Sequence, residues 1–221
     1  MVSVISPNNR RILLDRKEIL RYLGYGGASP KENDEALIER CTDEVATAID
    51  CKACYDCFSV TVSGDTVSVG PITVTSKALK RNLNGCQSAV IFTATVGFQV
   101  DRIISRYSLL SPSHAVVAQA AGTAAIEAWC DEICRILAEQ YSDKHLRPRF
   151  SPGYGDVPLA VQNDIFALLD CRRKIGVTLT ENLLMLPSKS VSAIVGIGAS
   201  KGIECDNSCE MCDNTECEFR R

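Results

Sequence analysis

The sequence has few aromatic side chains and almost no histidine. Phe, Trp and Tyr together make up 6% of the 221 residues, and there are only two histidines. The formal net charge is −3. Proteins that bind nucleic acid need a basic surface for the phosphates and commonly stack aromatic rings on the bases. The composition therefore excludes a typical DNA-binding or RNA-binding protein.

Long apolar runs and familiar catalytic motifs are also missing. No run reaches the roughly 18 apolar residues of a membrane-spanning helix, and the opening MVSVISPNNRRILLDRKE has no apolar signal-peptide core. We therefore expect a cytoplasmic protein without a membrane partner. The sequence has no P-loop, no H-E-x-x-H and no G-x-S-x-G, which argues against a nucleotide hydrolase, a zinc protease and an esterase.

Hydrophobic periodicity predicts a mixture of helices and strands. Apolar residues at helical spacing predict helices at about 30–49, 76–85, around Ile103, 113–140 and 161–169. Strand patterns occur at 58–62, 66–69, 72–75, 88–95, 177–185 and 190–197. These elements show no regular β-α-β alternation. We therefore predict an α+β domain over residues 1–203, with a largely antiparallel sheet flanked by helices.

The end of the chain differs in composition. Residues 204–221 contain four cysteines, six carboxylate side chains and two arginines, with almost no apolar residues. Such a segment cannot fold around a core of its own, and a metal centre would supply the missing order. The cysteines are spaced C-x3-C-x2-C-x4-C, at Cys205, Cys209, Cys212 and Cys217. We predict an acidic metal-binding tail.

The metal is less certain than the ligands. Four cysteines fit either tetrahedral zinc or an iron-sulfur cluster, and the compact spacing favours the cluster, with zinc as the alternative. A second group, Cys51, Cys54 and Cys57, has three ligands without a fourth. It fits ordinary thiols near a helix end, a second cluster, or ligation shared with the tail. The remaining cysteines are expected to be buried core thiols: Cys41, Cys86, Cys130, Cys134 and Cys171.

The stretch 147–156, RPRFSPGYGD, has two prolines and two glycines, which predicts a shaped loop. Together with LTEN at 179–182 and MLPSKSVSAIVG at 185–196, it resembles the activation domain of vitamin B12-dependent methionine synthase. The resemblance extends over residues 76–203 and is strongest over 147–197. It implies a bent antiparallel sheet flanked by helices, in agreement with the α+β prediction.

The resemblance also implies a function. Domains of this family bind S-adenosylmethionine and dock on a cobalamin-binding domain, where inactive cob(II)alamin is reduced by one electron and remethylated. A chain of 221 residues has no room for the cobalamin domain. The implied partner is therefore a separate methionine synthase or another corrinoid protein, which carries the cobalamin.

The family's R-x-x-P-G-Y motif matches Arg149, Pro152, Gly153 and Tyr154. The resemblance implies that Arg149 binds the ligand carboxylate, since a guanidinium can form a bidentate contact. It assigns close approach of the backbone to Ser151, Pro152 and Gly153. Tyr154 becomes the candidate catalytic residue, with its ring against the corrin or the cationic methyl donor.

Glu127 matches a helix position of the family whose acid contacts the ligand, and it would accept the ligand ammonium. The matching family position of Lys189 has no lysine, so its role stays open. Each assignment has a simpler alternative. Arg149 would then hold a loop carbonyl, Tyr154 would pack, and Glu127 would be a solvated helix acid.

The carboxylates of the tail suggest one further role. Negative charge around a cluster disfavours an added electron, so the reduction potential should be low and the tail suited to electron transfer to cobalt. The electron source would be a further partner. The main alternative is a docking module for a corrinoid protein, with a structural zinc site and no S-adenosylmethionine binding. A cysteine-rich redox sensor or metal-trafficking protein is a third reading, which leaves residues 147–197 unexplained.

Overall fold

The computed structural model of the chain describes residues 1–7, 12–25 and 28–199. Its strands are β1 Ser3–Ile5, β2 Lys52–Ser63, β3 Thr66–Val69, β4 Ile72–Thr75, β5 Cys86–Thr95, β6 His145–Leu146, β7 Thr178–Leu179, β8 Met185–Leu186 and β9 Ser190–Gly198. Its helices are α1 Arg16–Tyr22, α2 Glu32–Ala48, α3 Lys77–Asn82, α4 Phe98–Leu110, α5 Pro112–Gln140, α6 Val161–Leu169 and α7 Cys171–Ile175.

Seven strands form one antiparallel sheet in the order β4-β3-β2-β5-β9-β6, with β1 also paired to β2. Helices cover both faces. On one face, Phe92 of β5 and Val195 of β9 lie in a core shared with α1, α2, α4 and α5. On the other, Ile91 and Ile194 pack with α3, α6 and α7. The central strands are therefore buried on both sides, which explains why 88–95 is largely apolar and does not alternate between apolar and polar residues.

The alanine content of α5 lets this helix lie close to the sheet. Ala118, Ala121 and Ala125 are fully buried along its first half, where their methyl groups require little space between the helix and its neighbours. Trp129, also fully buried, donates a hydrogen bond to the Lys52 carbonyl at 3.1 Å. This bond ties α5 to the start of β2. Two acids of the same helix, Glu127 and Asp131, lie beside the 147–156 loop.

The predicted α+β class and most long elements are confirmed. The predicted helices 30–49 and 113–140 correspond to α2 and α5, and β3 and β4 match their predicted bounds. The prediction for β2 was too short at its N-terminal end. This strand begins at Lys52, because KACYDC pairs with β5 from Lys52 onward although its residues do not alternate cleanly.

The single strand predicted at 177–185 was wrong. The chain forms two short strands there, β7 and β8, which pair with each other outside the main sheet. The polar residues between them form a turn in which the Thr180 carbonyl accepts from the Leu183 amide at 2.9 Å, and Leu183 has a φ of 61°. The short elements α1, β1, β6 and α7 were not predicted. No helix in the described part of the chain is long and apolar enough to span a membrane.

Candidate functional site

The 147–156 loop starts along the edge of β9. Leu146 pairs with Ile197, and Phe150 exchanges two backbone hydrogen bonds of 2.9 Å with Ile194. Between these pairs the loop advances four residues while β9 advances three. One extra residue is therefore accommodated, as in a β-bulge. Because of the bulge, the side chains of Arg147 and Arg149 point in different directions and contact different partners.

Arg147 is the structural arginine of the loop. Its side chain is 6% exposed, and Nη2 donates to the Asn84 carbonyl at 3.0 Å. It passes over Gly196, where an added Cβ would lie 2.9 Å from Arg147 Cγ. The role of holding a carbonyl, considered as an alternative for Arg149, therefore belongs to Arg147.

Arg149 instead meets two carboxylates of α5. Its Nη2 lies 3.1 Å from Glu127 Oε2 and 2.8 Å from Asp131 Oδ1. Glu127 and Asp131 are one helical turn apart, so both face the loop. The structure thus brings together two predicted site residues and adds a third, Asp131. The i,i+4 spacing of the two acids was a signal in the sequence that the prediction did not use.

The surroundings keep this arginine charged. Burial acts to lower the pKa of Arg149, but the neighbouring Cys130, Asp131, Cys134 and Glu127 outweigh it and raise the pKa above its ordinary value. Burial also raises the pKa of the Cys130 thiol to about 12, against the opposing effect of Arg149. At neutral pH the guanidinium therefore faces a neutral Cys130 thiol and the two helix acids.

The second half of the loop forms a tight turn. The Ser151 carbonyl accepts from the Tyr154 amide at 3.2 Å, and Pro152 is buried. Gly153 has a φ of 89°, in the region that favours glycine, and the turn requires it. Tyr154 is 69% exposed, so most of its ring surface faces solvent. A packed position for the ring, the alternative considered for Tyr154, does not fit this exposure.

Asp156 anchors the end of the loop to α3. Its carboxylate accepts from the Ser76 hydroxyl and from the backbone amides of Lys77 at 2.8 Å and Ala78 at 3.2 Å. These hydrogen bonds, led by Ser76, hold the pKa of Asp156 below its usual range. Sequence reasoning missed this anchor because its partners lie about 80 residues away.

Lys189 contacts the same face of α5 as Arg149. Its Nζ donates to Thr123 Oγ1 at 2.9 Å, one turn before Glu127. Burial lowers the pKa of Lys189. The path of its side chain depends on Gly122, because a Cβ at that position would lie 3.1 Å from Lys189 Cε. Thr123, Glu127 and Asp131 therefore form a polar strip along α5, contacted by Lys189 and Arg149.

The two serines near Lys189 do not join the polar strip. Ser190 donates from its hydroxyl to the Pro187 carbonyl at 2.8 Å. Ser192 is 2% exposed, and its Oγ has no hydrogen-bond partner within the described residues. Two surface pockets, one between α1, α2 and α5 and one between α2 and α4, contain none of the six predicted residues.

The described cysteines are all free thiols. As predicted, Cys41, Cys86, Cys130 and Cys171 are buried, whereas Cys134, also predicted to be buried, is only half-buried. The possible second cluster does not form within the described residues. Cys51 and Cys57 border the core under α5, whereas Cys54 points to the opposite face, with Sγ 3.8 Å from Cys171 Sγ.

Residues 1–7, 12–25 and 28–199 contain no group of three or more His, Cys, Asp or Glu side chains that fits a metal ion. The four tail ligands, Cys205, Cys209, Cys212 and Cys217, lie outside these ranges. The iron-sulfur and zinc predictions for the tail therefore stay predictions.

The sequence of the chain matches one known protein family over its C-terminal part. Residues 114–201 match the sequence model of the family described as vitamin B12 dependent methionine synthase, activation domain. The predicted resemblance is confirmed. The matched segment includes α5, the 147–156 loop and β9, and hence every predicted residue of the loop site.

Solved structures show the same fold over almost the whole chain. The MetH reactivation domain, crystallised with bound AdoHcy, is 14% identical in sequence, and the TM-score is 0.66. The alignment covers 93% of this chain and 81% of that one. Thirteen chains of solved structures match in all. No curated protein matches the sequence.

Proposed function

We propose that the chain binds S-adenosylmethionine on the α5 side of the 147–156 loop and reactivates a separate cobalamin-dependent methionine synthase or related corrinoid methyltransferase. The observation that carries this proposal is the contact of 3.1 Å between Arg149 and Glu127. The family resemblance of the sequence implies a ligand-binding role for both residues. The MetH reactivation domain, which has this fold, holds AdoHcy, the compound that S-adenosylmethionine becomes when it loses its methyl group.

The residues of the loop have complementary roles. Arg149 binds the ligand carboxylate and Glu127 accepts the ammonium group, both through charge-assisted hydrogen bonds. The backbone of Ser151, Pro152 and Gly153 lies against the ligand. The exposed ring of Tyr154 faces the methyl donor and the partner's corrin. The partner's cobalamin supplies the cobalt that accepts the methyl group.

The proposed role of the tail is to transfer an electron to the partner's cobalamin. We place a separate metal-binding segment at residues 204–221, after the α+β domain 1–203, with the four cysteines as cluster ligands. Replacing Cys209 and Cys212 by serine in the full chain should abolish electron delivery to the partner's cob(II)alamin, measured by loss of its absorbance under anaerobic conditions. Unchanged delivery would remove the electron-transfer role and leave the methyl-donor role standing.

Calorimetric titration of S-adenosylmethionine into the anaerobically purified chain tests the methyl-donor proposal. Saturable binding is expected, and Arg149→Ala should abolish it. Arg149→Lys should weaken binding about tenfold or more, since lysine keeps the charge but lacks the planar guanidinium, which can hold Glu127 and a ligand carboxylate together. Arg135→Ala is the matched control, because Arg135 pairs with Glu132 and Glu139 on α5 rather than with the loop.

A second function has its own support. Arg149 is engaged by two carboxylates of the chain itself, and the large side chains of Tyr154 and Leu159 are exposed at the surface. These features fit a non-catalytic docking module for a corrinoid protein, with a structural zinc site in the tail. Absence of S-adenosylmethionine binding in metal-replete protein that still binds a corrinoid protein would favour this function.

A further inference from the structure

Asp131 occupies the nitrogen of Arg149 that the proposed ligand needs. Both carboxylate contacts of Arg149 fall on Nη2, and the Asp131 contact, at 2.8 Å, is the shorter one. The other terminal nitrogen, Nη1, is buried and has no hydrogen-bond partner among residues 1–7, 12–25 and 28–199. A ligand carboxylate therefore reaches the arginine mainly at the place that Asp131 holds.

The two helix acids differ in how readily they can leave. The Asp131 side chain is 57% exposed, whereas that of Glu127 is 33% exposed. An exposed carboxylate that gives up an ion pair regains water, so its release costs little. Glu127 is more enclosed and one turn closer to Thr123 and Lys189. The geometry therefore separates a displaceable acid from a retained one.

The charges of this group favour one class of ligand. Two carboxylates around one guanidinium leave a net negative charge, which repels an anion that has no cation of its own. A ligand with an α-amino-acid end brings a carboxylate for Arg149 and an ammonium for the acids. S-adenosylmethionine has such an end.

We propose that Asp131 is an internal competitor, which neutralises Arg149 in the ligand-free chain and is displaced by the carboxylate of S-adenosylmethionine. This inference rests on the proposed function and assigns its affinity control to a residue outside the loop motif. The two acids on Arg149 then have opposite effects. Glu127 strengthens ligand binding and Asp131 weakens it.

The test measures the dissociation constant of S-adenosylmethionine by calorimetry for the full chain and for Asp131→Asn. The variant keeps the shape of the side chain at an exposed position, and its melting temperature verifies folding. Loss of a competing exposed ion pair should tighten binding about two- to fivefold. Glu132→Gln is the matched control, because it removes the same charge one residue away, from an acid that pairs with Arg135. It should leave the constant unchanged.

A second probe separates competition from a structural effect. Decarboxylated S-adenosylmethionine has no carboxylate to place on Arg149, so Asp131→Asn should not improve its binding. If Asp131→Asn bound both compounds more tightly than the parent chain does, the inference would be overturned. It would also be overturned if the parent chain bound S-adenosylmethionine and the variant bound it equally well or more weakly. Binding by the variant alone would support the inference and the proposed function together. No binding by either protein would overturn both.

Discussion

At the scale of single residues, the loop shows how two arginines two positions apart acquire different roles. The extra residue between Leu146 and Phe150 turns Arg147 inward to the Asn84 carbonyl and Arg149 toward α5. A guanidinium enclosed by protein must have partners, because a buried unpaired charge is costly. For Arg149 those partners are acids at the edge of the sheet. Under the proposal, Asp131 is the partner that a ligand carboxylate displaces, and Glu127 stays in place.

Glu127→Gln should weaken S-adenosylmethionine binding about tenfold or more. The amide keeps the size of the side chain but loses the charge that an ammonium group pairs with, and such charged hydrogen bonds contribute about 1.5–3 kcal/mol. Calorimetry measures the change. Glu139→Gln, also on α5, is the control and should bind as the parent does. Unaltered binding by Glu127→Gln would contradict its role as ammonium partner.

Asp156→Asn should lower the melting temperature at neutral pH. The Ser76 hydroxyl and two backbone amides stabilise the charged form of Asp156 and lower its pKa. For a carboxyl with a lowered folded-state pKa, this stabilisation is present above the unfolded-state pKa and is lost as the pH falls through the folded one. The difference between variant and parent should therefore shrink below about pH 3.8.

Thermal unfolding from pH 7 to pH 2.5 measures this difference. Asp164→Asn serves as the control, since Asp164 is an exposed acid of α6 and carries no such loop anchor. A difference between Asp156→Asn and the parent that does not change with pH would show that the loss is due to packing rather than to charge.

At the scale of elements, close packing around β9 explains why the MLPSKSVSAIVG motif ends in a glycine, Gly196. A Cβ on Gly196 would lie 2.7 Å from Leu83 Cδ2, 2.8 Å from Cys86 Sγ and 2.9 Å from Arg147 Cγ. Leu83 and Cys86 belong to the turn between α3 and β5, whereas Arg147 belongs to the loop, so an added methyl group would be crowded by two segments at once. Gly196 therefore brings β9 close to both the α3 end and the loop.

Gly196→Ala should destabilise the chain by about 1–2 kcal/mol. Alanine restricts the unfolded chain and alone would gain about 0.5–1 kcal/mol, but overpacking in a dense interior costs about 1–3 kcal/mol. The cost of overpacking should exceed the gain from the restricted unfolded chain because all three contacts are below 3.0 Å. Urea unfolding measures the free energy. A more stable variant would show that the three side chains relax easily.

At the scale of the whole molecule, we expect mutations in the proposed tail, residues 204–221, to change metal binding without changing the stability of the proposed domain, residues 1–203. Among the residues that the structure describes, both hydrophobic cores are formed by side chains from Ile12 to Ile197. The acidic tail has little apolar surface to add to either core. We therefore expect metal binding by the tail and stability of the domain to be independent.

Cys209→Ser combined with Cys212→Ser should remove bound iron and acid-labile sulfide from anaerobically purified protein and leave the melting temperature nearly unchanged. Metal and sulfide analysis of the parent chain provides the reference. Cys134→Ser is the control, since Cys134 is a half-buried thiol of α5 outside both cysteine groups proposed as ligands and should not affect metal content. Zinc without sulfide in the parent chain would favour the structural zinc alternative, and a metal-free parent would contradict the tail prediction.

The sequence was sufficient for the predictions that depend on local patterns. Helical spacing located α2 and α5, the strand patterns located β3, β4 and β9, and the proline and glycine content located the loop. It was insufficient at 177–185, where apolar residues flank a polar turn, and at the start of β2, where pairing with β5 overrides a weak alternation.

The motif residues of the loop and the chain segments that become helix or strand were determined by the sequence itself, because spacing and turn chemistry act between near neighbours. Tertiary structure alone decided which side chains meet. Asp131 and Glu127 reach Arg149 only because α5 packs over β9 and a bulge turns the loop toward it. Such contacts join residues far apart in the chain, and no local pattern encodes them.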